Sequence, residues 1–343
     1  MKPQKLTAKF EVITPVFCAG AEQNGPAEIR PFSLRGALRW WYRALDGEYR
    51  AHESDFFGAA GTTIKSSPVT LRVHPWVTGQ KEYRNELQPQ NALSRGEAYL
   101  GYTLYLGQNR RKAVPPQIPV EIQLLQLRVG EDVRRAWAAS LWLFGHLGGL
   151  GTRSRRGFGT MALTSWSGWD ECKDLPPAHG ANSPAEWKEK FEAGFATIRN
   201  WFPEGPRNAQ HHHLGKTLDV YIWKNGARSW TEALNEAGNV FREFRMQRNN
   251  HRPELLAGFG LPIKFRNHQA RRATLVGRDR APSRLQFRVV RIGQKFHPMV
   301  WRCEGPLGPG EVRIEYSGTY NSDRLDDRLI DGFVKHIQQF CRT

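Results

Sequence analysis

The chain has 343 residues, 39% of them hydrophobic, and carries 50 Lys and Arg against 33 Asp and Glu, a net charge of +17. That length corresponds to roughly two domains, the hydrophobic fraction argues against a disordered polycation, and the charge points to a polyanionic partner. No stretch of 18 apolar residues and no signal-peptide core is present, which argues against a membrane-spanning or secreted chain and leads us to expect a soluble, cytoplasmic protein.

Residues 5–13 alternate, with Leu6, Ala8, Phe10 and Val12 apolar, which is the period of a half-buried strand; Thr14-Pro15 stops it. From Ser33, a candidate N-cap, Leu34, Leu38, Trp41 and Leu45 recur at helical spacing, and Gly47 is placed to end the helix. Extended segments are expected at 69–73, 99–106 and 120–127. A second helix over 131–147 shows Val133, Trp137, Leu141 and Phe144 on one face. A loop with five glycines and three arginines follows at 147–159, then a short strand at 158–163. Strand, helix, strands, helix, strand is the order of a ferredoxin-like, RRM-like βαββαβ domain with inserted strand material, its first and last strands pairing at the sheet centre.

A Gly-, Pro- and Ser-rich stretch after residue 165 marks a boundary. It separates an N-terminal domain (1–165) from a linker with one helix at 185–202 (166–215) and a C-terminal domain (216–343). The last domain reads as a strand at 218–223 and a helix marked by Trp230, Leu234, Ala237, Phe241 and Phe244. An extended piece at 261–265, a hairpin of 285–292 with 296–301, a strand at 312–316 and a helix through Leu329, Phe333 and Ile337 complete it. The expected fold class is therefore α+β, with two tandem ferredoxin-like domains and insertions.

Three basic features stand out. In the 147–159 loop, glycines let a polyanion approach the backbone N–H groups, and Arg153, Arg155 and Arg156 supply planar forks for phosphate oxygens. On the first helix Arg35, Arg39 and Arg43 form one stripe, either a track for a nucleic-acid backbone or a solvated face. Beside it Trp40 points away from the core, to stack on a base or to pack under an inserted segment. The window 242–291 holds twelve Arg and one Lys against three acids, ten of the seventeen excess charges. Arg242, Arg245 and Arg248 lie at the end of a helix, and Arg271, Arg272, Arg278 and Arg280 in a turn-rich loop. This segment suits a phosphate clamp, or alternatively a basic surface met by an acidic neighbour.

The signals for catalysis are sparse. His52 and His74 are positions to examine for metal-independent RNA cleavage, since histidine serves as acid and base near neutral pH. His146 is expected to cap helix carbonyls or pack beside the loop. Consecutive His211, His212 and His213 make a poor metal shell and read as a surface linker. Cys18, Cys172, Cys303 and Cys341 are far apart and read as free thiols. Walker, HExxH and dinucleotide motifs are missing, so no metal, cofactor or small-molecule substrate is expected.

Thr14-Pro15, Glu28-Ile29-Arg30, the run from Ser33 to Trp41, Phe56-Phe57-Gly58 and the run from Gly148 to Gly159 resemble the RAMP superfamily of CRISPR RNA-binding proteins. Within that superfamily the resemblance is to the subunit 1 branch of type III-B Cmr effector complexes, and it covers about residues 6–163. It implies two ferredoxin-like domains across a basic cleft, a place beside other Cmr subunits near the 3′ end of a guide RNA, and no nuclease centre. By position it carries RNA contact onto Arg30, Arg35, Arg39, Gly148, Gly149, Gly151, Arg153, Arg155 and Arg156. Three functions are thus set against one another: a non-catalytic subunit binding single-stranded guide or target RNA, a metal-independent endoribonuclease, and a protein scaffold with incidental RNA contact.

Overall fold

The computed structural model describes residues 4–61, 64–83, 95–104, 110–126, 129–205, 211–247, 256, 258–260, 263–264, 271–276, 282–305, 311–316, 319–324 and 328–341. The first half runs β1 (Gln4–Val12), β2 (Ala27–Glu28), α1 (Pro31–Leu45), α2 (Tyr49–Phe57), β3 (Val69–His74), β4 (Thr78–Gly79) and β5 (Lys81–Glu82). It continues with α3 (Gly96–Gly101), β6 (Lys112–Ala113), β7 (Pro119–Gln126), α4 (Glu131–Leu147), β8 (Met161–Ser167), α5 (Glu171–Asp174) and α6 (Pro184–Trp201). The second half follows as β9 (Val220–Ile222), α7 (Trp230–Met246), β10 (Ile263–Lys264), β11 (Arg272–Leu275) and β12 (Leu285–Ile292). It ends with β13 (Lys295–Arg302), β14 (Glu311–Glu315), β15 (Tyr320–Arg324) and α8 (Arg328–Cys341). None of the described helices is long and apolar enough to cross a membrane.

Strand alternation works as the sequence implies. Leu6, Ala8, Phe10 and Val12 of β1 are buried, and β1 pairs antiparallel with β7 on one side and β8 on the other. The sheet order β3-β7-β1-β8, with α1 and α4 as the connecting helices, is that of a ferredoxin-like unit. The first and last strands do pair, although β1 is central and β8 forms the edge. Most of α4 is buried around its whole circumference, because it packs against β8, α1, α2 and α6.

The second half repeats this plan as β9, α7, β12, β13 and α8, with sheet order β12-β13-β9. The β12–β13 hairpin turns at Gly293-Gln294, as expected. Insertions before β12 and after β13 pair as a separate sheet, β10-β11-β14-β15. Both hydrophobic clusters draw on both halves of the chain. Val220, Ile222 and Trp301 join Trp41 and Phe144 in one, while Phe17, Leu100 and Phe158 join Phe241, Phe287 and Phe333 in the other.

Several local expectations are corrected. Helix α1 starts at Pro31 rather than after Ser33, because proline is preset for the first helical position and its missing N–H costs nothing there. The expected strand at 99–106 is instead α3 followed by a 3-10 turn at Tyr102–Leu104. Tertiary packing decides this: Gly96 N–H donates to Asn235 Oδ1 (2.8 Å), and α3 lies directly on α7. A Cβ at Gly96 would stand 2.1 Å from the Asn235 carbonyl, and one at Gly238 would stand 2.1 Å from the Gly96 carbonyl. Strand β8 begins later than expected and runs to Ser167, since residues 157–160 are held by Thr14 and Pro15 before the strand starts.

Candidate nucleic-acid interface

The glycine-arginine loop leaves the C-terminus of α4 and is fastened along its whole course. Leu150 N–H donates to Gly159 O (2.8 Å), Thr152 N–H to Phe17 O (2.8 Å) and Gly159 N–H to Pro15 O (2.9 Å). The buried Thr14 hydroxyl donates to Gly157 O (2.8 Å) and accepts from Thr160 N–H (2.9 Å). Gly151 has φ +86° and a Cβ there would meet Phe17 O at 2.4 Å, so this position requires glycine. On the opposite side, Arg155 O accepts from Phe287 N–H of β12 (3.1 Å), so the loop adds itself to the edge of the second sheet.

Arg288, also on β12, is 2% exposed. Its Nη1 donates to Phe144 O (3.4 Å) and Gly148 O, and its Nη2 to Gly145 O (2.6 Å) and Met161 O (3.0 Å). The carbonyls of Phe144, Gly145 and Gly148 belong to the end of α4 and its cap, where Phe144 O also accepts from Gly148 N–H (2.9 Å), the last acceptors run out of helical donors and a cation is favoured. Burial pushes the Arg288 guanidinium down to about 9. One arginine of the second half thereby sets the direction in which the loop leaves the first.

Above the loop lies a cleft of about 310 Å³, lined by Ser33, Ala37, Trp40, Trp41, the Gly148–Gly151 backbone, Ser154, Arg155, Gln286 and Trp301. Its walls come from α1, the loop, β12 and β13. The Arg155 guanidinium carbon sits 5.7 Å from the Trp40 ring centroid. Trp40 meets Trp41 edge-on at 4.9 Å, and Trp41 lies 5.5 Å from Trp301, whose Nε1–H donates to Leu147 O (3.2 Å). Aromatic faces, a cation and accessible backbone in one groove are the elements that hold single-stranded nucleic acid.

The description of the matching family model is "RAMP superfamily", and it spans residues 9–162, from β1 through the loop into β8. The match spans just under half of the chain and is a likeness of its first half to that superfamily. The CRISPR system Cmr subunit Cmr1-1 of Pyrococcus furiosus is 27% identical over 310 residues, covering 86% of each chain. The crystal structure of apo Cmr1 from the same organism superposes with a TM-score of 0.62 at 21% identity, covering 98% of this chain and 96% of that one. A chain of a type III-B Cmr-beta complex, solved by cryo-EM with cognate target RNA, AMPPnP and ssDNA, gives a TM-score of 0.62 at 12% identity, covering 98% and 99%.

The expected site residues separate into groups. Trp40, Arg155, Gly148, Gly149 and Gly151 line the cleft. Trp40 also packs on His211 (5.7 Å) and His212 (6.0 Å), so it serves the cleft and the linker at once. Arg30 stands at the N-terminus of α1 and donates to Ala19 O (3.4 Å). Arg35 is half-buried, and burial together with Arg39 draws its guanidinium below the usual range. The α1 stripe is not a free basic face, since Arg39 and Arg43 each reach Glu53 Oε1 at 2.6 Å. Burial pushes the Glu53 carboxyl up, but the hydrogen bonds from Arg43 and Arg39 outweigh it and hold it below the ordinary carboxylate range.

Arg153 and Arg156 turn away from this cleft. Arg153 has φ +64° and lies 4.6 Å over Tyr102. Arg156 enters the second core over Phe241 (5.2 Å) and Phe287 (5.5 Å) and donates to Phe259 O (2.8 Å). Arg245 donates to the Tyr99 hydroxyl (2.7 Å), and Arg242 is 3.9 Å from Glu243. Arg271 and Arg272 are exposed. Arg248, Arg278 and Arg280 lie outside the described residues.

The histidines behave differently from their sequence context. His211, His212 and His213 are not a surface linker: His212 is 3% exposed, its Nδ1 lies 3.4 Å from Cys303 Sγ, and His213 pairs with Glu304 (2.8 Å). Burial, then Arg155 and His211, pushes His212 down to about 3. Among the described residues there is no group of His, Cys, Asp and Glu that could hold a metal. His146 meets expectation, with Nδ1 on Trp142 O (2.7 Å) and Nε2 accepting from Ala178 N–H (2.8 Å). Burial pushes it down to about 3. His52 stacks on Phe56 and lies 3.9 Å from Asp46, and no hydrogen bond or ring contact joins it to His74.

Sequence reasoning missed Trp41, Gln286, Trp301 and Arg288. Trp41 was assigned to the helix core, where it also is; its indole edge reaches the groove because the loop glycines leave space beside it. Nothing local to Gln286, Arg288 or Trp301 signals the site. Their alternation on β12 and β13 was legible, but the neighbour facing that sheet was not.

Proposed function

We propose that this chain is an RNA-binding subunit of a cytoplasmic type III-B Cmr ribonucleoprotein, contributing binding rather than catalysis. It would hold guide RNA, or target RNA near the guide's 3′ end, beside other Cmr subunits. The observation that carries this reading is the cleft in which Trp40, Trp41, Trp301 and Arg155 face the loop backbone. It is supported by the likeness of residues 9–162 to the RAMP superfamily and by likeness along nearly the whole chain to a chain of a complex bound to target RNA.

The chemistry is that of single-strand capture. A base stacks on the Trp40 face, Arg155 meets the adjoining phosphate, and the glycine backbone admits the sugar-phosphate chain closely. The test is RNA binding by the purified chain. Trp40→Ala or Arg155→Ala should weaken binding about tenfold or more while the variant still melts cooperatively. With about five phosphates contacted, log K should fall against log salt with a slope of roughly −3.5. Unchanged affinity in both variants, or affinity indifferent to salt, rejects the reading.

A further inference from the structure

We infer that Arg153, Arg156 and Arg245 form a second anion site, separate from the cleft, which binds a phosphate group between the loop, α3 and α7. Three observations converge. Arg156 and Arg245 both pack on the ring of Phe241, lying 5.2 and 5.5 Å from its centroid. Arg245 also sits 5.9 Å over Phe259, whose carbonyl takes Arg156 Nη2. The charged neighbours of Arg156 are Arg153, Arg245 and Arg155, all cations.

Among the described residues no carboxylate answers this charge and no ion pair involves any of the three arginines, whose hydrogen-bonding and ring partners are backbone, phenol and aromatic groups. Arg153 Nε and Nη2, Arg156 Nη1 and Arg245 Nε are buried with no acceptor. Elsewhere among the described residues a buried guanidinium leaves at most its Nε unmatched. Among the described residues Arg153 Nη2 and Arg156 Nη1 are the buried terminal nitrogens without a partner. Burial, then Arg153 and Arg245, pushes Arg156 down to about 9, the mark of a cation held without compensation. Tyr102, 45% exposed, covers Arg153 and is the wetted edge of the cluster, where an anion would enter.

Three neighbouring forks with unmatched donors suit a phosphate, which offers more acceptor oxygens than a carboxylate. Residues 153 and 155 are at most about 7 Å apart along the chain, so an RNA strand with a base on Trp40 has neighbouring phosphates within reach of this cluster. The inference rests on the RNA reading only for the source of the phosphate.

The test is thermal unfolding of the full chain in inorganic phosphate, in chloride and in glutamate at equal ionic strength. Phosphate should raise the melting temperature saturably by about 5 °C, and Arg245→Met should abolish most of that rise while melting no lower than the parent in chloride. Arg153→Gln provides a second variant with the same expected loss. Trp40→Ala should keep the full phosphate response, so failure of the cleft and failure of this site are distinguishable. Inorganic phosphate that competes with RNA for the parent, but not for Arg245→Met, identifies an RNA backbone phosphate as the occupant; without competition, a free phosphate fills the site. An equal rise in glutamate would overturn the inference in favour of a partner protein's carboxylate. A full phosphate response in both arginine variants would also overturn it.

Discussion

Two sets of arginines in the first half of the chain look alike in sequence and differ in what surrounds them. On α1, Arg39 and Arg43 share Glu53, and the stripe they form is half neutralised. On the loop, Arg153 and Arg156 have aromatic rings, phenols and backbone carbonyls for company and, among the described residues, no acid. The first set braces α1 against α2. The second holds unanswered charge, which is the condition for binding something negative. Arg288 marks the limit between them: more deeply buried than either set, it donates to four carbonyls and is therefore structural.

The largest effect should come from Arg288. Replacing it by Leu leaves the end of α4 and Met161 O without their donor, and about 3–5 kcal/mol should be lost in urea unfolding; a loss under about 1 kcal/mol would erase the distinction between structural and binding arginines. Glu53→Gln should cost about 3 kcal/mol by leaving two arginines facing each other. Because Arg39 and Arg43 are not among the cleft residues, the salt slope of RNA binding should stay as it was; a steeper slope would bring α1's stripe into the interface.

Acid should probe the same contrast. His146 and His212 are held neutral with values near 3, while an unfolded histidine titrates near 6.5. The unfolded state therefore binds more protons between those values, so stability is full above about pH 6.5 and falls toward pH 3. The slope should be about 1.4 kcal/mol per pH unit for each histidine. Equilibrium unfolding at a series of pH values checks this, and His212→Asn should remove one share of the slope. The smallest effect belongs to the exposed Arg271: its replacement by Ala should change stability by less than about 0.5 kcal/mol, and RNA affinity less than Arg155→Ala does. A larger loss of affinity there would move the main interface to the second half of the chain.

Periodicity made β1, α1, α4, α7, α8 and the β12–β13 hairpin legible, because each buries a regular apolar face. Helix α3 was not legible: its segment is rich in aromatic and branched residues that suit a strand, and only the glycine contact with α7 makes a helix the better packing. The loop was recognised as a phosphate-binding candidate from its glycines and arginines, but the assignment of its arginines to two different faces depends on Phe287, Tyr102 and Phe241, all distant in sequence. Glu53 lies on α2, a helix the sequence did not announce, so the neutralisation of Arg39 and Arg43 was hidden as well. The three histidines illustrate the same limit, since a polar tripeptide beside turns reads as surface until β13 and α1 are seen to close over it.

The meeting of Gly96 and Gly238 has a consequence for inheritance rather than for binding. A methyl group on either glycine would force α3 and α7 apart, and once they are apart the same change at the other position costs little. The two substitutions should therefore be strongly non-additive. A segment inserted in one half has become mutually dependent with a helix of the other, and neither half can be exchanged for that of a relative unless its partner's glycine comes with it.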